Sequence, residues 1–397
     1  MMPAGGLPHL KNRHETSPQA TLVRSADLYT PDPVGVCDVL AIGEKIVRIG
    51  RDIPADGWLP CQVIDVRGKR LIPGLIDGHV HLIGGGGEGG PVTRAPEIEF
   101  DQLIRAGITT AVGVLGFDSV TRHMTSLLAK ARALEQEGMT TYLYSGGYQL
   151  PPQTITGDII RDLVLIDKVL GAGEIAISDH RSGHPQAHEL AALAAQARIG
   201  GILSGKPGLV HLHLGDGRTG FQPIRQIMDE TDLPPHQLYP THINRKTKLL
   251  SDAAEFARQG GYIDLTAAAG PEFGEPEGVT VAESFQWLRR QQVPMDRVTI
   301  SSDANGSLPV FDQQGNLVDL EVSKPEVLWR SVQSIMKTGV SLANVLPWVT
   351  ANPAKLLGLT GKGRIQAGAD ADLVVLDEED EIVAVMARGR LHFSKLS

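Results

Sequence analysis

The middle of the chain alternates compact apolar segments with amphipathic ones. Short apolar runs typical of buried strands recur roughly every thirty residues, and segments with helical spacing follow most of them. This is the repeat of a parallel α/β fold, and an eight-fold count favours a (β/α)8 barrel over an open doubly wound sheet. The predicted strands are LIPGLIDGHVHL, TTAVGVLG, TTYLYSGGY, EIAISDH, GLVHLHLG, QLYPTHIN, GYIDLTAA and RVTISSD.

Both ends of the chain follow a different pattern. From residue 21 to about residue 71, and again from residue 363, short β-rich runs are broken by Gly, Pro and Asp, and no helix is evident. We therefore expect one small β-sandwich domain formed by residues 21–73 and 356–397. Residues 74–355 would form the catalytic barrel, and residues 1–20 a flexible N-terminal extension.

Composition narrows the possible partners. The 397 residues are 42% hydrophobic and 21% charged, with a net charge of -9 and no basic run, which argues against nucleic acid or an anionic membrane as a partner. Two cysteines are too few for a disulfide framework or a thiolate zinc site. With no secretion-like N-terminal segment and no long apolar window, we expect a cytoplasmic protein that binds a small molecule or a metal.

Metal-type side chains stand where the predicted strands end, which is the face of a barrel that carries chemistry. In His79-Val80-His81 the period of two sends both imidazoles to one face. A single His-x-His is usually incidental and an Asp after a strand is commonly a helix cap, but five such groups on five strands indicate a metal site. The others are Glu174 with Asp179, His180 and Arg181; His211 with His213; Thr241 with His242; and Ser301 and Ser302 with Asp303.

His211 has two interpretations. The alternation that points His213 towards the site also points His211 inward, two residues below it. It is either a ligand or a hydrogen-bonded core histidine, and spacing alone leaves both open.

Longer motifs carry a resemblance to a known family. Residues 73–81 (PGLIDGHVH) resemble the metal-binding opening of the amidohydrolase superfamily, and residues 368–374 (GADADLV) resemble its returning sheet domain. Within that superfamily, residues 79–88, 154–157, 177–181, 205–208, 240–245 and 301–307 are similar to the isoaspartyl dipeptidases. The similarity runs from about residue 21 to about residue 390.

The resemblance implies hydrolysis of β-aspartyl dipeptides, released when proteins are degraded, by a metal-bound hydroxide. It implies two zinc ions, one held by His79 and His81 and the other by His213 and His242, with His211 left in the core. Bound zinc lowers the pKa of water to about 7. Two residues take catalytic roles by the same resemblance: Asp303 as ligand and general base, and Tyr148 as the group that polarises the carbonyl.

Substrate recognition follows from the same resemblance. Glu88 suits the free ammonium group, while Arg181 and Arg245 suit carboxylates. Ser307 and backbone N–H groups near Gly86 would complete the site. The family also implies a homo-oligomer, an octamer.

Two positions depart from the family pattern. Glu174 stands where the family has a carbamylated lysine that bridges the metals, and Phe117 stands where it has a threonine near the substrate. Glutamate keeps the charge and the bridging oxygens but is shorter, so either the fourth strand or the metals must shift, or only one metal binds tightly. We expect a bridging Glu174 and a site that assembles without bicarbonate or CO2.

Two other functions compete with this one. The chain could be another amidohydrolase, acting on N-acyl amino acids or cyclic amides, although such substrates offer no ammonium group to Glu88. From a different class, it could be a metal-poor scaffold paralogue. A scaffold of this kind is expected to have lost metal-ligating side chains. Here only the lysine is replaced, and the residue that replaces it is acidic.

Overall fold

The computed structural model describes residues 20–56, 60–311 and 317–396. The predicted N-terminal extension, residues 1–20, therefore lies outside the described residues except for its last position. The strands within the described part are β1 Ala20–Tyr29, β2 Pro33–Ile42, β3 Lys45–Gly50, β4 Cys61–Asp65, β5 Arg70–Pro73, β6 Leu75–Val80, β7 Ile108–Gly113, β8 Thr140–Ser145, β9 Val169–Ile177, β10 Leu209–Leu214, β11 Leu238–Thr241, β12 Ile263–Thr266, β13 Val298–Ser301, β14 Ser307–Phe311, β15 Leu317–Val322, β16 Leu373–Leu376, β17 Ile382–Ala387 and β18 Arg390–Ser394.

Helices connect most of the central strands. Local sequence explains where some begin: Thr280 and Glu283 form a capping box at the start of the helix Val281–Arg290. Asp158 accepts a hydrogen bond from the backbone N–H of Arg161 at the start of the helix Ile159–Leu165. The α-helices of the described residues are α1 Phe100–Arg105, α2 Met124–Glu137, α3 Ile159–Leu165, α4 Ala187–Ser204, α5 Gln222–Glu230, α6 Thr247–Arg258, α7 Val281–Arg290, α8 Val327–Met336, α9 Leu342–Val345 and α10 Ala351–Leu356.

The predicted barrel is confirmed, with all eight predicted strands present as β6 to β13. Strands β6 to β11 form a parallel sheet in chain order, and β12 pairs in parallel with β13. A parallel bridge between Val80 and Ala304 joins the first strand to the segment after the last. The strands read as continuous buried runs because helices cover the outside of the barrel and side chains fill its inside.

The two chain ends form a second, smaller unit, as the fold prediction requires. Strands β18, β17, β16, β5, β1, β2 and β3 lie side by side in one sheet, and β4 pairs with β1. The join between the ends is β5 with β16, where Pro73 stands opposite Leu373. Side chains from both ends share one apolar cluster that includes Leu28, Ile46 and Met386. The boundaries of this unit at residues 73 and 356 stay a prediction.

Candidate functional site

The site lies at the carboxyl ends of the barrel strands and begins with the two histidines at the end of β6, His79 within the strand and His81 directly after it. His79 is fully buried and His81 nearly so. The backbone N–H of His81 donates to the carbonyl of Ala304, which fixes the end of β6 against the segment after β13. Both imidazoles face Asp303: its Oδ1 lies 3.3 Å from Nε2 of His79 and 3.1 Å from Nε2 of His81.

Glu174 reaches this group from a bulge in β9. Ala172 stands opposite Val210 and Ile175 opposite Leu212, so Gly173 and Glu174 together face the single residue His211 of β10. The side chain of Glu174 is buried, with Oε2 at 3.4 Å from Nε2 of His79. The carboxylate thus enters the site at an irregular point of the fourth barrel strand.

Glu174 also contacts the histidines of the next two strands. Its Oε1 lies 2.6 Å from Nδ1 of His213 and 3.3 Å from Nε2 of His242. His242 directly follows β11 in a left-handed conformation, with φ 59°, and its Nδ1 lies 2.6 Å from the hydroxyl of Thr266. Asp303 also has a left-handed backbone, with φ 51°. Such residues concentrate at functional sites, where packing holds them in place.

Two groups of side chains at this site have the composition of a metal centre. Imidazole nitrogens and carboxylate oxygens are ligands of zinc and similar ions. Within each group the ligand atoms all lie within 4.8 Å of one another. The groups are His79, Glu174 and His242, and His79, His81 and Asp303.

Unsatisfied buried atoms support the same interpretation. Nε2 of His79, Oε2 of Glu174 and Oδ1 of Asp303 are buried and make no hydrogen bond within the described residues. Buried polar atoms are normally satisfied, so these three fit a cation placed between them. His213 belongs to neither group: its Nε2 lies 3.0 Å from Oδ2 of Asp179, and its Nδ1 faces Glu174.

The charges of the site are strongly coupled. Burial alone would raise the pKa of Glu174, but His79 and His213 hold it well below its usual range. Burial likewise opposes ionisation of Asp303, and His79 lowers the pKa of that carboxyl. Burial and the nearby Arg245 depress the pKa of His242. Two ionised carboxylates thus stand among imidazoles, as a dication would require.

Tyr148 presents a hydroxyl to the same region. It follows β8, is buried, and its Oη lies 2.9 Å from Nδ1 of His213. Burial and the carboxylate of Glu174 raise its pKa well above the usual value, so the hydroxyl keeps its proton. Phe117 packs edge-on against the ring of Tyr148, with the two ring centroids 6.0 Å apart.

Arg181 is held by Asp179, the carboxylate two residues before it. Its Nε and Nη2 donate to Oδ1 and Oδ2 of Asp179 at 3.1 and 2.9 Å. Its Nη1 donates to Glu88 at 3.1 Å, and the hydroxyl of Ser307 donates to the same Glu88 oxygen at 2.8 Å. The other oxygen of Glu88 is buried and makes no hydrogen bond within the described residues. An acceptor for a cationic group is therefore available beside a guanidinium.

Arg245 lines the outer part of the site. Its Nε donates to Glu275 at 3.0 Å, and its Nη1 donates to the carbonyl of Leu214 at 3.1 Å. Sequence reasoning missed Glu275 because it stands in a loop with no periodic signal. Side chains from six separate segments line a cleft of about 540 Å³ here, including those of Glu88, Arg181, Arg245, Glu275 and Ser307.

The glycine-rich segment that carries Gly86 is anchored by a buried arginine. Arg122 donates through Nε to the carbonyl of Ile83 at 3.2 Å and through Nη2 to that of Gly85 at 2.8 Å. Gly84 has φ 79°, and a Cβ there would lie 2.2 Å from the carbonyl oxygen of Ala95. The glycines thus allow close approach of two backbone segments next to His81.

Polar side chains below the site form a second, closed layer. Asp264 of β12 accepts hydrogen bonds from Tyr239 at 3.0 Å, Thr241 at 2.7 Å and Thr299 at 2.6 Å. Asp77 accepts from the N–H of His79 at 3.2 Å, and burial raises its pKa to about 7. Asp264 and Asp77 could both have been identified from the sequence, because each is a single aspartate within an apolar strand.

His211 lies in this lower layer. Its Nε2 is 2.9 Å from Nδ1 of His79, and its Nδ1 is 3.1 Å from the carbonyl oxygen of Tyr239. Burial, together with His79, lowers its pKa to about 3.

Comparison with solved structures finds close similarity to one enzyme. The β-aspartyl dipeptidase of Fervidobacterium islandicum AW-1, solved in complex with the β-Asp-Leu dipeptide, is 43% identical in sequence with a TM-score of 0.87. The alignment covers 94% of this chain and 97% of that one. A dihydropyrimidinase from Brevibacillus agri NCHU1002 has a TM-score of 0.64 at 16% identity, over 95% and 96% of the two chains, and shares the fold.

Sequence comparisons agree at a coarser level. The model of the amidohydrolase family matches residues 293–392. The imidazolonepropionase of Rhizobium meliloti (strain 1021) is 25% identical over 94% of both proteins. Among the described residues, no helix is long and apolar enough to cross a membrane.

Proposed function

The chain belongs to the amidohydrolase superfamily and, within it, to the family of β-aspartyl dipeptidases, and we propose that it hydrolyses β-aspartyl (isoaspartyl) dipeptides. The observation that carries this proposal is the combination in one cleft of a metal-type cluster with an ion-paired Glu88 and Arg181. A dipeptide with a free ammonium group and two carboxylates matches these charges. Such dipeptides remain when isoaspartyl-containing proteins are degraded.

We propose that the cluster holds zinc, two ions per subunit. His79 and His81 would hold one ion with Asp303, and His213 and His242 the other, with Glu174 between them. Glu174 Oε2 lies 3.4 Å from Nε2 of His79 and Oε1 lies 3.3 Å from Nε2 of His242, spacings suited to shared ligation, and these support Glu174 between the two ions in place of a carbamylated lysine. Zinc bound there would supply an activated water and polarise the scissile carbonyl.

The protein's own side chains would divide the proton chemistry. Asp303 carries an ionised, unsatisfied Oδ1 at the centre of the site, and we assign it as the general base. It would take a proton from the attacking water and deliver it to the leaving amine. The hydroxyl of Tyr148, which keeps its proton, would donate to the carbonyl oxygen as negative charge develops there.

Substrate binding would use the charged side of the cleft. The free oxygen of Glu88 would accept from the substrate ammonium, while Arg181 and Arg245 would bind carboxylates. Ser307 and the backbone near Gly86 would complete the contacts around Glu88. Phe117, beside Tyr148, would shape the preference for the residue that leaves.

A comparison of two isomers tests the reaction. Purified protein would be assayed with β-Asp-Leu and α-Asp-Leu, with metal content measured on the same sample. We expect cleavage of the β isomer, little cleavage of the α isomer, and zinc in the sample. Succinyl-leucine is the matched control, because it is β-Asp-Leu without the ammonium group that Glu88 would bind.

The other outcomes would point elsewhere. Equal cleavage of both isomers would overturn the specificity. Hydrolysis of an N-acyl amino acid or a cyclic amide in preference to β-Asp-Leu would favour the competing amidohydrolase function, and a protein that neither binds metal nor cleaves any of these substrates would fit the scaffold. The 43% identity to a β-aspartyl dipeptidase, against 25% to an imidazolonepropionase, favours the first function.

We further propose a homo-oligomer, an octamer, located in the cytoplasm. Apolar side chains exposed on α3 and α4 support an association surface: Leu165 is 62% exposed, Ile202 68% and Leu203 67%. Light scattering after size exclusion would give the number of subunits. Ile202→Glu should reduce it if this surface is used.

A further inference from the structure

His211 occupies a fixed position directly beneath the cluster. It is fully buried between two tyrosine rings, stacked on Tyr144 with centroids 4.8 Å apart and close to Tyr239 at 4.7 Å. Gly173, in the bulge of β9, passes so close that a Cβ there would lie 2.8 Å from the Cβ of His211. The ring therefore has little freedom to turn.

The two nitrogens of His211 have different partners, and these partners determine where the protons are. Nδ1 lies 3.1 Å from the carbonyl oxygen of Tyr239, which can only accept, so Nδ1 carries the hydrogen. In its neutral form the ring has one N–H. Its Nε2 is then an acceptor, and it can accept only from Nδ1–H of His79, 2.9 Å away.

The same reasoning carries over to His79. If its Nδ1 holds the hydrogen, its Nε2 presents a lone pair. That atom is the one that lies 3.4 Å from Glu174 and 3.3 Å from Asp303 and that makes no hydrogen bond within the described residues. A backbone carbonyl in β11 thus sets the tautomer of His79 through His211.

We propose that His211 is a positioning residue for metal binding, which fixes the tautomer and orientation of His79 so that Nε2 faces the ion. The proposal rests on the metal centre of the proposed function. Partners of this kind, which hold a metal-ligating histidine through its other nitrogen, change metal affinity about 10- to 100-fold when they are replaced.

Zinc affinity of three variants tests this role, measured by competition with a chromophoric chelator, together with the unfolding temperature of the metal-free proteins. His211→Phe keeps an aromatic ring between the tyrosines but removes both nitrogens, and we expect zinc to bind about 10- to 100-fold more weakly. His211→Gln keeps one donor and one acceptor, and its affinity should lie between those of His211→Phe and wild type. The visible spectrum of the Co²⁺-loaded protein should change in His211→Phe.

Tyr144→Phe is the matched control. It alters the other side of the same stack, and the Tyr144 hydroxyl makes no hydrogen bond within the described residues. Its zinc affinity should equal that of wild type. If His211→Phe does not fold, His211→Gln still has to show weaker binding.

Two results would overturn the role proposed for His211, and only one of them would also overturn the proposed metal centre. If wild type binds zinc and the His211 variants bind it equally well, with only the stability of the metal-free protein lowered, His211 is a packing residue and the metal centre stands. If wild type binds no zinc, the metal centre fails together with the role of His211.

Discussion

Oε1 of Glu174 lies 2.6 Å from Nδ1 of His213, across the only register shift between β9 and β10. The carboxylate reaches the histidine because one extra residue of β9 is inserted at that point. We expect this bulge to offset the difference in length between Glu174 and the carbamylated lysine of the family pattern.

Replacing Glu174 tests this relationship. In Glu174→Ala the imidazoles of His79, His213 and His242 lose their shared carboxylate, so we expect loss of bound zinc and a fall in kcat/KM of at least about 100-fold. Wild type should reach full activity after metal is added back in bicarbonate-free, CO2-depleted buffer. Metal analysis and kinetics on the same samples give both results.

Glu174→Gln is the matched variant, since it keeps the size and one oxygen but removes the charge. It should also bind zinc more weakly than wild type. Unchanged metal content in Glu174→Ala, or a requirement of wild type for bicarbonate, would contradict a bridging carboxylate.

The sequence predicted most of the barrel because each strand is a compact apolar run with polar side chains at its end. His79 and His81 could be found in this way, since the period of two and the strand end are local features. The bulge at Gly173–Glu174 could not, because it depends on which residue of β10 stands opposite. Glu275 was missed because a loop residue has no pattern, and it meets Arg245 only in the folded chain.

Removing the hydroxyl of Tyr148 should slow the chemical step. In Tyr148→Phe the ring and its packing on Phe117 remain, but the donor to the carbonyl oxygen is lost, so kcat should fall about 100- to 1,000-fold with a much smaller change in KM. Steady-state kinetics with β-Asp-Leu measures this. Tyr142→Phe, the same substitution on β8 at a half-buried tyrosine, should leave kcat unchanged. A Tyr148→Phe effect confined to KM would contradict the role of the hydroxyl.

Glu88 should matter only for substrates that carry the ammonium group. Glu88→Gln keeps an acceptor near Ser307 but removes the charge, and a hydrogen bond to a charged group contributes about 1.5–3 kcal/mol, so kcat/KM for β-Asp-Leu should fall about 10- to 100-fold. Succinyl-leucine lacks the ammonium group, so wild type and variant should cleave or bind it equally. An equal loss with both compounds would mean that Glu88 acts by holding Arg181.

The small domain contains a buried ion pair whose effect on stability should depend on pH. Nζ of Lys362 lies 2.5 Å from Asp372 and 2.8 Å from Asp370. Burial would lower the pKa of Lys362, but the two carboxylates raise it above its usual value. Burial would raise the pKa of Asp370, but the ammonium group of Lys362 lowers it. Lys362→Met leaves Asp372 without this ion-pair partner and Asp370 paired with Lys45 alone, and removing one partner of a buried pair costs about 3–5 kcal/mol.

The directions of these two pKa shifts define the pH range in which Lys362→Met should lose the most stability relative to wild type. A raised lysine pKa gives stability that is complete below the ordinary value of 10.5 and is lost as the pH rises through the folded value. A lowered aspartate pKa gives stability that is complete above 3.8 and is lost as the pH falls through the folded value. The difference in unfolding free energy between wild type and Lys362→Met should therefore be largest between these limits and shrink beyond each. Lys45→Met is the control, because Lys45 pairs with the same Asp370 but is 56% exposed, so its loss should cost at most about 1 kcal/mol. Denaturant unfolding at pH 7, below pH 3.8 and above pH 10.5 would reveal the pattern, and a difference that stays constant across this range would mean that Lys362 acts by packing alone.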